Sequence, residues 1–206
     1  MRRISPIESI ELLVVTVPPV VLAGLGLLHP SNLTDDSAAT WRNLHVVLLP
    51  VFPLLALAPW IVVRREHRVL RWAVVVLGFV YAVFYTALDV LAGIGAGALQ
   101  AAGGHDLTSV LFKNANDLAF FGVWAYLVAA ATAAAVALGR AGALAVPGAL
   151  LVVGGGWSFL SSHIYWPRGG LTMLALAVGW IALVLAQRFA PVEEQSATAF
   201  GSTSTT

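Results

Sequence analysis

The chain has 206 residues, of which 59% are hydrophobic and only 10% charged, and its mean hydropathy is +0.88. A soluble globular domain carries about a quarter charged residues, so these values exclude an ordinary water-soluble fold and describe an all-α integral membrane protein. The formal charge of +1 says little by itself, and the lack of cysteine excludes disulfides and thiolate ligands, leaving chemistry to His, Asp, Ser, Tyr or a bound cofactor.

A helix crossing a hydrocarbon core of about 30 Å needs about 20 mostly apolar residues. Six stretches meet that length, predicting a six-helix transmembrane bundle. The first covers residues 10–28 and contains Pro18 and Pro19. Arg2 and Arg3 ahead of an apolar run resemble a secretory leader, but no small-x-small cleavage site follows, so a retained span is expected. The second, 41–63, contains Pro50, Pro53 and Pro59 and ends in Arg64, Arg65, Glu66, His67 and Arg68. The third, 70–99, is long enough to tilt or to emerge as a Gly-rich extension. The fourth, fifth and sixth cover 118–138, 144–164 and 171–186.

Between them, 30–40 and 101–116 read as the longer polar loops. His105 and Asp106 fall in the second loop, Asn114 and Asn116 read as turn residues, and Asp117 as the N-cap of span four. Residues 191–206 are Ser/Thr-rich without apolar periodicity and are expected to form a disordered cytoplasmic tail to a transmembrane domain of residues 1–190.

Basic residues in short connections set orientation. With both termini cytoplasmic, Arg2, Arg3, Arg64, Arg65, Arg68, Arg71, Arg140 and Arg188 lie inside and only Arg42, Lys113 and Arg168 outside. That bias predicts a multi-pass protein of the cell membrane with its bilayer as partner; no nucleic-acid partner is expected.

Small residues mark close helix approach, because lipid tails give helices no hydrophobic reason to associate. Gly93 and Gly97 form a G-x-x-x-G step, Gly148 and Gly154 to Gly156 lie in span five, and an Ala-rich run occupies 129–135. Trp41, Trp60, Trp72, Trp157 and Trp166 fall near span ends, where indole rings anchor at the headgroups. Trp166, in the run from Ser161 to Arg168, is also placed to shape a rim.

The chemistry-bearing residues share one level. His45 stands nineteen residues before Arg64 and Asp89 eighteen after Arg71, so at about 1.5 Å per residue both lie about 27 to 28 Å above the inner boundary. His163 and His29 reach the same height on two other spans, at about 30 and 27 Å. Tyr81, Tyr85 and Asp89 recur every four residues and form a polar stripe on span three. A carboxyl group within a span is costly and faces a bundle interior or cavity; the alternative ends the span near Asp89 and leaves it interfacial.

Neutral imidazoles with a carboxylate can hold zinc, iron or copper, and two imidazoles can ligate a haem b. His29, His45, His163 and Asp89 are therefore the candidate metal ligands, with His45 and His163 the candidate cofactor ligands. Asp89, Tyr85 and Ser162 are the candidate catalytic residues, although adjacent Ser162 and His163 point in different directions on a helix. This set favours a metal- or haem-dependent membrane enzyme acting on a lipid-soluble substrate at an outward-facing site. A proton-coupled transporter using Asp89 is the alternative, weakened because no ionisable residue continues the path through the inner half. A third reading, supported by the small size and many small residues, is an accessory subunit of a larger membrane complex or a homo-oligomer.

Overall fold

A computed structural model describes residues 6–190; the tail expected over 191–206, and Arg2 and Arg3 of the charge count, lie outside the described residues. Eight α-helices form, with no strand among the described residues: α1 (Pro6–Gly26), α2 (Ala38–Leu48), α3 (Leu57–Val63), α4 (Arg68–Leu88), α5 (Ala96–Ala101), α6 (His105–Ala141), α7 (Val146–Ser162) and α8 (Arg168–Phe189). Five segments are long and apolar enough to cross a membrane: Ser9–Gly26, Ala38–Val63, Arg68–Ala101, His105–Ser162 and Arg168–Phe189. The sequence predicts six, and the difference lies in the 58 residues of His105–Ser162, which contain both α6 and α7.

Contacts pair residues reflected about each connection, so successive helices run antiparallel. Leu127, Tyr126 and Trp124 of α6 meet Gly156, Phe159 and Trp157 of α7, reflected about Gly142, whose φ of 53° is open to glycine and strained for other residues. Gly155 and Ser158 of α7 face Leu176 and Thr172 of α8. Tyr81 and Phe84 of α4 face Tyr126 and Phe121 of α6. The Ala-rich stretch of α6 is buried at Ala129, Ala130, Ala133, Ala134 and Ala137, where small side chains let its neighbours close in. Helix α1 packs against α8, where Arg188 meets the Glu11 carboxylate, and is tied further by Arg64, just after α3, on the same carboxylate and by Trp166 Nε1, in the turn before α8, donating to the Ala23 carbonyl.

Two expectations need correction. The second span is not one helix: after Leu48 the chain turns and passes through a 3-10 segment, Phe52–Ala56, before α3. Pro50 and Pro53 lack the N–H that a continuous α-helix would use. The outer loop placed at 101–116 shrinks to a tight turn around Gly103 (φ 80°), because α6 starts at His105 and runs 37 residues. No proline or glycine interrupts residues 105–121, while Leu107, Val110, Leu111 and Phe112 extend the apolar pattern. Asp117, Asn114 and Asn116 are consequently mid-helix residues, not a cap and turn residues. The third span, expected over 70–99, does continue past Asp89, as a π-helix, Asp89–Gly95, that leads into α5, so the alternative end at Asp89 does not apply.

Candidate metal centre

The Glu11 cluster lies at one end of the bundle and the histidines at the other. His29 follows the last turn of α1, which closes through Leu28 N–H to the Leu25 carbonyl and His29 N–H to the Gly26 carbonyl. His45 sits on the buried face of α2, and His163 caps the C-terminus of α7 with φ 44° and ψ −134°. A non-glycine residue at positive φ costs about 1 to 3 kcal/mol and persists where its surroundings overdetermine it. Here the turn is packed onto Gly169 and Gly170, where an added Cβ would lie 2.6 Å from the His163 carbonyl oxygen and 2.1 Å from the Trp166 ring.

The three imidazoles converge. One nitrogen of each lies within 4.8 Å of the others, and the ring centres are 5.1 Å (His29 to His45), 5.6 Å (His29 to His163) and 6.0 Å (His45 to His163) apart. A zinc–nitrogen bond of about 2.0 Å puts a ring centre about 3 Å from the metal, so three rings at tetrahedral angles stand about 5 Å apart. The cluster is close to that spacing.

Each Nδ1 is already engaged. That of His29 donates to the Pro30 carbonyl at 2.8 Å and that of His45 to the Trp41 carbonyl at 2.8 Å, which fixes the proton on Nδ1 in both rings. The Nδ1 of His163 lies 2.7 Å from the Tyr85 hydroxyl. Nε2 of His29 and of His163 is buried with no protein partner among the described residues. Metal-ligating imidazoles are held in this way, with the distal nitrogen tied to a carbonyl or hydroxyl. Burial lowers the pKa of His29, offset in part by the Pro30 hydrogen bond, and lowers that of His163 well below its ordinary value, helped by His29 and His45 nearby. Both rings are therefore neutral at pH 7, the form with a lone pair to give.

Asp89 is fully buried, and neither carboxyl oxygen has a protein partner among the described residues. It is not one of the three converging groups, which are all histidines. Its position is nevertheless specific. Four residues before it Tyr85 touches His163, and four after it Gly93 lies under the His45 ring, where an added Cβ would be 2.1 Å from Cγ. Asp89 thus occupies the stretch of helix between the contacts to two of the histidines. Tyr81, at the lower end of the stripe, donates to the Phe52 carbonyl at 3.1 Å and is structural.

Ser162 is turned to α8, its hydroxyl 3.4 Å from Thr172 Oγ1, while Ser158 meets the same oxygen at 2.7 Å. His163 has Tyr85 and not a serine as its partner, so the geometry assembles no Ser-His-Asp relay. His105 instead pairs with exposed Asp35 at 3.0 Å, away from the centre.

Two aromatic walls escaped sequence reasoning. Trp41 is buried and not an interfacial anchor; its Nε1 donates to the Ala92 carbonyl at 2.9 Å, and its ring stacks on His45 and meets His29 edge-on. Tyr165 lies 4.5 Å from His29 between ring centres, and burial lifts its pKa to about 12. The four-residue spacing of Trp41 and His45 was the available signal for the first. No family model, curated protein or solved structure matches the chain.

Proposed function

We propose that this chain is a six-span protein of the cell membrane, both termini cytoplasmic, that binds a divalent metal through His29, His45 and His163 near its outer face and hydrolyses a lipid-soluble substrate there. The observation that carries the reading is the convergence of three histidine nitrogens whose rings are already oriented by bonds at Nδ1. The six-span count rests on the hairpin of α6 and α7, each long enough to cross most of a bilayer.

Zinc fits best. A set of three neutral imidazoles suits it, leaving a fourth position open, whereas non-haem iron sites favour a carboxylate among the ligands. Copper is a weaker candidate on the same donor set. Haem b fits poorly, since His29 stands near the plane midway between His45 and His163, where the macrocycle would have to lie.

Zinc would supply Lewis acidity and a water made nucleophilic near neutral pH. The protein's own residues orient and move protons. Tyr85 fixes the His163 ring, Trp41 and Tyr165 exclude water from the rings, and Asp89, on the helix between the contacts to His163 and His45, would accept a proton from water and return it to the leaving group. Ester hydrolysis would on this reading consume one water and give an acid and an alcohol.

Metal analysis of the purified protein tests the reading. One metal per chain, lost in His45→Ala and in His163→Ala, is the expected result. Substoichiometric metal that is indifferent to both substitutions overturns it.

A further inference from the structure

A cleft of about 510 Å³ opens between α4, α6 and α7. Its floor is made by buried Tyr85 and Phe159 with His163, and its rim by exposed Asn116, Asp117, Phe120 and Ser161. The volume is in the range of small-molecule sites, about 300 to 1,000 Å³. The wall changes character along its length. At the outer end Asn116, Asp117, Ser161 and Tyr165 present hydrogen-bonding groups, whereas Phe120, Val123 and Leu160 continue the wall with carbon.

Position on α6 explains this division. Asp117 ends the polar first third of the helix, and Val123 lies six residues further, about 9 Å deeper along the axis. The apolar end meets the side of the bundle where Phe120, Phe121, Trp124 and Trp157 are exposed, the side facing acyl chains. An amphiphile in the outer leaflet has the same polarity gradient over the same direction.

Charge narrows the class. Among the described residues that wall the cleft there is no Lys or Arg, and Asp117 is its one carboxylate. Arg168 reaches the rim from α8, its Nη2 donating to Ser161 Oγ at 2.9 Å, so it offsets Asp117 and the rim carries no net charge, while the strongly basic groove of Arg64, Arg65 and Arg71 lies at the opposite end. With Asp117 offset by an Arg168 already engaged at Ser161, an anionic headgroup finds no unopposed cation, while a hydroxylated head finds acceptors and donors at Asp117, Asn116 and Ser161.

We propose that this cleft admits an uncharged, hydroxylated monoacyl lipid from the bilayer, holding its head at Asn116, Asp117 and Ser161 beside His163 and its chain along Phe120, Val123 and Leu160. The identity of the site as an entrance rests on the metal reading, but binding of the lipid does not.

The test uses the full chain in phosphatidylcholine nanodiscs with a monoacylglycerol carrying a diazirine in its acyl chain, the crosslinks mapped by peptide mass spectrometry. Label concentrates on the α6 and α7 walls and is displaced by excess unlabelled monoacylglycerol, but not by lysophosphatidic acid of the same chain length. Leu160→Trp, which fills the cleft, lowers labelling about tenfold, equivalent to about 1.4 kcal/mol of binding, with metal content unchanged. Asp117→Lys, at an exposed position, keeps the proposal testable if the first variant misfolds and reverses the preference toward lysophosphatidic acid. Label spread evenly over the lipid-facing surface, or equal displacement by both competitors, overturns the proposal. Cleft-confined label on protein without metal upholds it and removes only the metal reading.

Discussion

The Tyr85 hydroxyl lies 2.7 Å from Nδ1 of His163, joining the last turn of α4 to the residue that closes α7. A hydrogen bond at the distal nitrogen of a metal-binding imidazole sets ring orientation, and losing it costs about 10- to 100-fold in metal affinity. Tyr85→Phe is therefore expected to weaken zinc binding by about that factor while leaving helix content intact. Competition with a calibrated chelator reads the affinity. An unchanged constant shows that ring packing against Phe52, and not the Tyr85 hydroxyl, orients the ring.

Gly93 tests the opposite wall. An added Cβ there would sit 2.1 Å from His45 Cγ, and the ring has little room because Trp41 stacks on its other side at 5.3 Å between centres. Gly93→Ala should push His45 out of line and abolish stoichiometric metal binding. Gly97→Ala, one step along the same helix, meets Arg42 Cβ and the Ala38 carbonyl at 3.0 and 3.1 Å. That substitution strains packing away from the histidines, so it should lower the thermal midpoint yet keep the metal. If both variants keep metal equally, His45 is not held in place by the face it rests on.

The level of the site was legible in the sequence because helical rise is nearly constant, so counting from Arg64, Arg71 and Glu11 places His45, Asp89 and His29 at one height. Rotation was not legible, since it depends on which faces pack. Trp41 has the composition and position of an interfacial anchor, and only the approach of Ala92 and His29 makes it a wall of the centre. The first third of α6 looked like a loop because His105, Asp106, Lys113, Asn114 and Asn116 are polar, but polarity decides which side meets water and not whether the backbone is helical. The π-helical turn at Asp89–Gly95 has no sequence mark beyond Gly93 and Gly95, which also read as plain packing glycines.

Acid should release the metal and destabilise the metal-free protein. His29 and His163 have folded-state pKa values lowered by burial, while in the unfolded chain each returns to about 6.5. Between the lowered values and about 6.5 the unfolded chain binds more protons, so stability rises with pH across that window. The contribution is complete above about pH 6.5 and is lost as pH falls toward the lowered values. Unfolding of chelator-treated protein, followed from pH 8 down to pH 5, should show a falling midpoint that His163→Phe flattens. A midpoint indifferent to pH over that interval rules out burial of neutral imidazoles as a stability term.

Asp89 separates stability from binding most sharply. Its carboxyl oxygens are buried between the contacts to His163 and His45 without a protein partner among the described residues. A buried ionisable group persists at low cost only when paired with charge or metal, and an unsatisfied buried polar group costs about 1 to 3 kcal/mol. In chelator-treated protein Asp89→Leu, which removes both polar atoms at similar length, should raise the thermal midpoint, with a gain of about 1 kcal/mol or more. A dication at the histidines supplies the compensation that the native carboxyl otherwise lacks, so on adding zinc the order should invert: the native chain gains more from the metal than the variant does. Paired unfolding curves of both proteins, with chelator and with zinc, read the sign of the difference directly. A variant less stable in both conditions shows that Asp89 serves the fold. If it is more stable in both by the same amount, Asp89 does not sense the metal, and its place in the hydrolytic reading is lost.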